Sequence, residues 1–397
     1  MKILSKKIAM ALSLVMMMAV VGCSSGKETK PAESAAPQES VAAESTAPES
    51  TQPSEEGMKI VIVTSPSGVD DASFNQDNYN GILEYIKANP NATVKTVQEQ
   101  DIAASVQAVA DVVADYDVIV TPGFQFAGIA AIAQENPDKK FILVDSYPAD
   151  AEGNEIALDN VYAMQFAEQE SGFFAGIAAA KETKTGKVAV VNGIAYPSNV
   201  NYQYGFEAGV NYANTKLGAK AEVVEIASYA GTDVTGANVG GNYIGDFSDP
   251  ATGKVVGAAL INEGCDILFV AAGGSGTGVL TAAKEATDVK ILGCDVDQFD
   301  DGINGDKNVI LTSGLKNMGI NVNRQLTAIA DGSFKGGNYL LKADTDSTGL
   351  VVAEGRQQLS KETIEAVNAA YDAVKSGAIV PPSNFSGTLP EDFPGLK

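Results

Sequence analysis

From Met58 onward, short apolar runs rich in Val and Ile alternate with stretches of helical periodicity. One series of runs is 58–64 "MKIVIVT", 93–98 "TVKTVQ", 117–121 "DVIVT", 140–145 "KFILVD" and 161–166 "VYAMQF". A second is 187–192 "KVAVVN", 222–228 "EVVEIAS", 266–271 "DILFVA", 290–295 "KILGCD" and 308–313 "NVILTS". Helical periodicity fills most of the intervals, for example 102–114, 168–181, 201–217, 278–287 and 315–331. Aliphatic strands separated by helices predict parallel sheets covered on both faces. Two such series predict two α/β lobes rather than one large sheet.

Open parallel sheets bind ligands beyond the carboxyl ends of their strands. Those ends are polar or glycine-rich here: Thr64-Ser65, Thr121-Pro122-Gly123, Asp145-Ser146, Asn192-Gly193, Gly273-Gly274, Asp295 and Thr312-Ser313. Two lobes presenting such edges to one another would form a cleft suited to a small polar molecule.

The corner "SGVDDASFNQDNYNGILEYI" (67–86) leads from a strand into a helix. Ser73 and Gln76 fit a capping box that starts the helix at Phe74. Tyr79, Ile82, Leu83 and Ile86 form its core stripe, and Phe74 points away from that stripe. Stacking on a flat ligand and capping a neighbouring loop are both open to such a ring. In the other lobe "PSNVNYQYGFEAGV" holds Tyr202, Tyr204 and Phe206 near a helix start. Phe206, flanked by Gly205 and Gly209, is expected in the core and Tyr202 in the cleft, so two aromatics would sandwich a planar group.

"AAGGSGTGVLTAAKEA" (271–286) lacks the order of a nucleotide-phosphate loop and reads as a tight strand-to-helix turn lining the cleft. "GCDVDQFDDGINGDKN" is dense in Asp, yet Phe299 occupies the fifth position of a would-be calcium loop. Asp295, at the strand end, suits paired sugar hydroxyls better than Asp297. Lys316 could donate to the same ligand or could be a solvated helix residue.

The N-terminus changes the picture. Lys2, Lys6 and Lys7 precede an apolar stretch, Ile8 to Val21, that is short for a membrane span. "VVGC" then ends at Cys23 and is similar to a bacterial lipobox. Residues 1–22 are thus expected to be a lipoprotein signal peptide and Cys23 the lipidated anchor. Residues 23–57 are dominated by Ser, Ala, Pro, Glu and Thr and are expected to be a disordered tether. The 397 residues carry a net charge of −23 and contain no His. Such acidity argues against nucleic acid as a partner. Lack of His removes the commonest general base and transition-metal ligand, so no metal, cofactor or catalysis is expected. Cys265 and Cys294 read as small buried hydrophobes, with a disulfide between them left open.

"DDASFNQ", "FILVDS", "EQESGFFAGIAAAKETKTGKVAVV", "GFEAGV", "DILFVAAGGSGTGV", "GCDVDQ" and "LTSGLKN" occur in the order found in the basic membrane protein (BMP) family, which the chain resembles over roughly 58–355. The resemblance implies a type I periplasmic-binding-protein fold: α/β, two Rossmann-like lobes with parallel sheets and a three-strand hinge. It implies an extracytoplasmic lipoprotein of the cell membrane that serves an ABC importer permease and binds a nucleoside, purine by expectation. The expected lobes are 58–165 plus about 317–345, and 166–316 plus about 346–397. The hinge is expected near 162–168, 313–318 and 344–350. By motif, Phe74 and Asn75 belong to the SFNQ element and Asp145 to a strand end. Gly273 and Gly274 form the AGG turn, Asp295 a second strand end, and Lys316 a corner. Tyr202 stands where the family usually has Phe, four residues before Phe206, which completes the expected ligand-binding set. Two departures stand out: Pro66 replaces an expected Asp, and the segment 228–254 is longer than the family's. A sugar, a signalling ligand, a sensor role and a nucleoside-cleaving enzyme are the alternative readings.

Overall fold

A computed structural model describes residues 57–384 together with Pro390 and Phe393. The expected signal peptide, Cys23 and all of the tether but Gly57 lie outside the described residues.

The first lobe is assembled from β1 (Lys59–Thr64), α1 (Phe74–Ala88), β2 (Thr93–Gln98), α2 (Ser105–Val112), β3 (Val118–Pro122), α3 (Ala130–Glu135), β4 (Lys140–Val144) and β5 (Val161–Phe166). The strands pair in the order β2-β1-β3-β4-β5, all parallel. Alternate residues of a strand face opposite sides, so a run such as Ile60-Val61-Ile62-Val63 supplies two cores at once. Ile60, Ile62, Val118 and Val120 pack with Ile82 and Tyr85 of α1. Val61, Val63, Ile119 and Phe141 pack on the other side with Val109, Phe126 and Ile129.

The second lobe contains α4 (Glu168–Glu182), β6 (Lys187–Asn192), α5 (Pro197–Lys216), β7 (Glu222–Val223), a hairpin of β8 (Gly231–Thr232) and β9 (Asn238–Gly240), α6 (Pro250–Asn262), β10 (Ile267–Ala271), α7 (Gly273–Glu285), β11 (Lys290–Gly293), a hairpin of β12 (Ile303–Asn304) and β13 (Lys307–Asn308), and β14 (Ile310–Lys316). Its sheet repeats the first lobe's order, β7-β6-β10-β11-β14. The chain then returns to the first lobe through α8 (Met318–Asp331), packed on α1, and β15 (Gly337–Leu341), which adds to β5 in parallel. It ends in the second lobe with β16 (Thr348–Leu350), antiparallel to β14, and α9 (Lys361–Lys375), packed on α4. The two lobes are therefore joined by three crossings: Phe166 to Glu168, Lys316 to Met318, and Leu341 to Thr348.

Two glycine pairs bring α4 and α5 into backbone contact. A Cβ on Gly176 would lie 2.2 Å from the Phe206 carbonyl, and one on Gly209 2.2 Å from that of Phe173. This close seam fixes the start of α5, and with it Tyr202, against the lobe.

Several elements differ from the sequence expectation for definable reasons. The run at 222–228 is a strand only over Glu222–Val223. Beyond it the edge of β6 is taken by the returning segment at 242–244: Asn192 donates to the Asn242 carbonyl, and Ile244 donates to that of Asn192. The strand at 308–313 continues to Lys316 because Gly314, Leu315 and Lys316 pair with β16, so α8 begins at Met318 rather than 315. Helices α5 and α7 begin at Pro197 and Gly273, earlier than the periodicity predicts. Cys265 and Cys294 are buried free thiols, not a disulfide.

Candidate functional site

The start of α1 is built differently from the expected capping box. Ser73 makes no side-chain cap. Instead the buried carboxylate of Asp71 accepts from the backbone N–H groups of Ser73 (3.1 Å), Asn75 (2.9 Å) and Gln76 (3.0 Å). Burial raises the Asp71 pKa, and these three donors oppose the rise. The Ser73 hydroxyl is thereby released to the other lobe, where it donates to Asp295 Oδ2 at 2.8 Å. Ala72, held at a φ of 57°, turns its carbonyl toward Gln298, whose side-chain amide donates to it at 3.1 Å. A third link runs from the Ser67 hydroxyl to the Phe247 carbonyl, 3.1 Å.

Between these links the lobes enclose a cavity of about 680 Å³ of atom-free space, its open mouth included. Phe74, Asn75, Asp145, Tyr202, Gly273, Asp295 and Lys316, seven of the expected site residues, line it. Phe206 does not: it is fully buried and stacks on Phe269, with ring centroids 5.7 Å apart and planes 16° from parallel. Gly274 sits one residue into α7, and a Cβ there would press on the Phe247 carbonyl at 3.1 Å.

Lys316 is the one cation among the described lining residues. It is neither helical nor solvated: it closes β14, and only 1% of its surface is exposed. Its ammonium lies 2.5 Å from Asp145 Oδ2 and 3.0 Å from Glu168 Oε1. The same group stands 5.1 Å from the centre of the Phe74 ring, 5.4 Å from that of Phe166 and 5.9 Å from that of Tyr202. Burial pushes the Asp145 carboxyl up to about 7, against the attraction of Lys316 and with added repulsion from Glu168 and Asp295. The surrounding carboxylates in turn outweigh burial at Lys316 and hold its pKa above the usual lysine value.

Asp295 accepts from the Tyr202 hydroxyl at 2.9 Å as well as from Ser73. Tyr202 is 3% exposed and packs edge-on to Phe269, 5.6 Å between centroids. It therefore presents little ring face to the cavity and acts mainly as a hydrogen-bond donor. Asp297 faces elsewhere and pairs with Arg356 at 2.7 Å.

The aromatic surface that the sequence reading missed comes from Phe124, Tyr196 and Phe247. Tyr196 lies between Phe124 of the first lobe (5.4 Å) and Phe247 of the second (5.9 Å). Phe247 rests on Gly193, where a Cβ would come within 2.2 Å of its ring. Its place follows from the 242–244 segment on the β6 edge, a non-local pairing with no periodic signal. Pro66, where an acid was expected, offers its carbonyl to the Gln98 side chain. The cavity has two buried acceptors without a protein partner, Asp145 Oδ1 and Asn75 Oδ1. Among the described residues, no cluster of His, Cys, Asp or Glu could hold a metal ion, and no helix is long and apolar enough to cross a membrane.

The profile described as "Bmp: ABC transporter substrate-binding protein PnrA-like" matches residues 58–239 and 227–384. The ABC transporter nucleoside-binding protein BmpA of Lactococcus lactis is 30% identical over 352 residues, 82% of this chain and 89% of that protein. A CD4+ T-cell-stimulating antigen of Listeria innocua is 28% identical over 349 residues, 83% of this chain and 89% of that protein. An ABC-transporter solute-binding protein of Aeropyrum pernix superposes with a TM-score of 0.66 at 23% identity, covering 83% of this chain and 95% of that one, and so shares the two-lobed type I-like fold. Profile, relatives and fold agree: the chain belongs to the Bmp family of PnrA-like ABC transporter substrate-binding proteins.

Proposed function

We propose that the chain is a lipid-anchored receptor that binds a nucleoside between its lobes and delivers it to an ABC permease. The observation that carries this reading is the pairing of aromatic rings with buried, unpartnered acceptors in one cavity. Phe74 and Phe247 come from opposite lobes and supply faces for a base. Asp145, Asp295 and Lys316 supply ribose partners, and the lone acceptors Asp145 Oδ1 and Asn75 Oδ1 suit a ligand rich in O–H and N–H donors. The Lactococcus relative is a nucleoside-binding protein, which supports the same ligand class. Purine is the expected base. Anchoring through Cys23 keeps the cavity outside the cytoplasm, and rotation about the three crossings opens and closes it. No catalytic step is part of the proposal.

Pro66 favours one second reading, a sugar, since position 66 carries no carboxylate to hold a base. Thermal-shift screening of the protein against purine and pyrimidine nucleosides, free bases and pentoses separates the two. A ligand at one hundred times its Kd stabilises by about 2.7 kcal/mol. Stabilisation by nucleosides, reduced in Phe74→Ala, is the expected outcome. A response to pentoses alone would replace the nucleoside with a sugar.

A further inference from the structure

We propose that Glu168, which does not line the cavity, is a positioning residue for ligand binding: it holds Lys316 in an ion pair of its own and so leaves Asp145 one oxygen for the ligand. The proposal rests on the nucleoside reading for its binding probe.

Glu168 is the first residue of α4, directly after the first crossing, where a helix N-terminus favours a carboxylate. Only 1% of its surface is exposed. Both of its oxygens are engaged. Oε1 lies 3.0 Å from the Lys316 ammonium, and Oε2 accepts from the Asn201 side chain of α5 at 3.1 Å. Asn201 is fixed in turn, its Oδ1 accepting from the backbone N–H of Asn384 at 2.7 Å. Asp145 is held on one side only: Oδ2 meets Lys316, whereas the buried Oδ1 meets nothing in the protein.

Three acids face this one ammonium: Asp145 beyond β4, Glu168 on α4 and Asp295 beyond β11. The rings of Phe74, Phe166 and Tyr202 surround the ammonium, Tyr147 faces Glu168, and near Asp295 stand the hydroxyls of Tyr202 and Ser73, the Cys294 thiol and the carboxyls of Asp71 and Asp77. The ammonium is thus shared between two acids, 2.5 Å from Asp145 and 3.0 Å from Glu168. A neutral residue at 168 would leave Asp145 as the one acid in ion-pair contact with Lys316, with Asp295 farther off. Asp145 would then ionise more readily, and its charge would be spent on the lysine rather than offered to a ligand hydroxyl.

The test uses the full chain with two readouts. The first is the Asp145 carboxyl titration, followed by carbon-13 NMR without ligand in wild type, Glu168→Gln and Glu168→Asp. The second is adenosine affinity by calorimetry at pH 6 and 8. Expected are a midpoint lowered by about one pH unit in Glu168→Gln, a smaller displacement in Glu168→Asp, and about tenfold weaker adenosine binding in Glu168→Gln. An unmoved midpoint overturns the proposal, as does a moved midpoint with unchanged affinity in a wild type that binds adenosine. If Glu168→Gln does not fold, Glu168→Asp decides by the same criteria, because its shorter side chain draws the charge away from Lys316. A wild type that binds no nucleoside while the midpoint still moves refutes the nucleoside reading and leaves the positioning role supported.

Discussion

Asp145 and Asp295 stand at matching corners of the two lobes. Each follows the fourth strand of its sheet, and each has a left-handed backbone, with φ of 64° and 68°. Their partners differ. Asp145 faces the ammonium of Lys316, whereas Asp295 accepts from two hydroxyls, those of Ser73 and Tyr202. One corner is ionic and the other is a neutral-donor corner that also ties the lobes together.

Asp295→Asn follows directly from that difference. Asparagine tolerates the left-handed backbone but has one acceptor oxygen for two donors. One hydroxyl proton then loses its acceptor, which costs about 1–3 kcal/mol. Urea unfolding should register this loss, and nucleoside affinity should fall with it. Unchanged stability would mean that the contacts of Ser73 and Tyr202 with Asp295 contribute nothing.

Truncating the rings should weaken binding without altering the ribose partners. Stacking on an aromatic side chain is worth about 1–3 kcal/mol per base, or roughly a 5- to 150-fold change in Kd. Phe74→Ala and Phe247→Ala should each show a loss in that range for nucleosides in calorimetry. Equal losses for a nucleoside and its free pentose would show that neither ring touches a base.

Stability should depend on pH around neutrality. Burial raises Asp145 to about 7, Asp77 to about 6, and Asp71 upward. A carboxyl whose folded pKa exceeds its unfolded value contributes stability that is complete below the unfolded pKa. That contribution is lost as pH rises through the folded value. The melting temperature should therefore fall between pH 5.5 and 8 at constant ionic strength, and less steeply in Asp145→Asn. A melting temperature that rises across this window would contradict the assignment.

Removing the cation is the complementary change. Lys316→Met leaves Asp145 and Glu168 buried without their partner, and breaking such a pair costs about 3–5 kcal/mol. Protonation relieves the repulsion, so the loss in unfolding free energy should be smaller at pH 5 than at pH 8. The same loss at both pH values would indicate that packing, not charge, explains it.

Much of the fold was legible because local signals suffice for it. Parallel β-sheets buried on both faces require unbroken aliphatic runs, and 58–64 and 266–271 are such runs. The end of β14 was not legible: Lys316 extends the strand only because β16, more than thirty residues later, pairs with it. The site divides in the same way. Asp145, Asp295 and Asn75 follow strand ends or a helix start, positions a periodicity reading finds. Phe206 is in the core, as Gly205 and Gly209 beside it signal, and only its place in the ligand-binding set taken from the resemblance does not hold. Phe247 and Glu168 were missed. Phe247 arrives on a segment whose place is set by edge hydrogen bonds, and Glu168 acts through another side chain, so neither has a local signature.

Lys316 is the last residue of a strand that passes from one lobe to the other. A group at a pivot travels least when the bodies it joins rotate. Rotation about the three crossings, as proposed, would therefore move the lysine and its two ion-paired acids less than the Ser67–Phe247 link between the lobes. A ligand held by the proposed ribose partners would then stay seated at the pivot while the links between the lobes part.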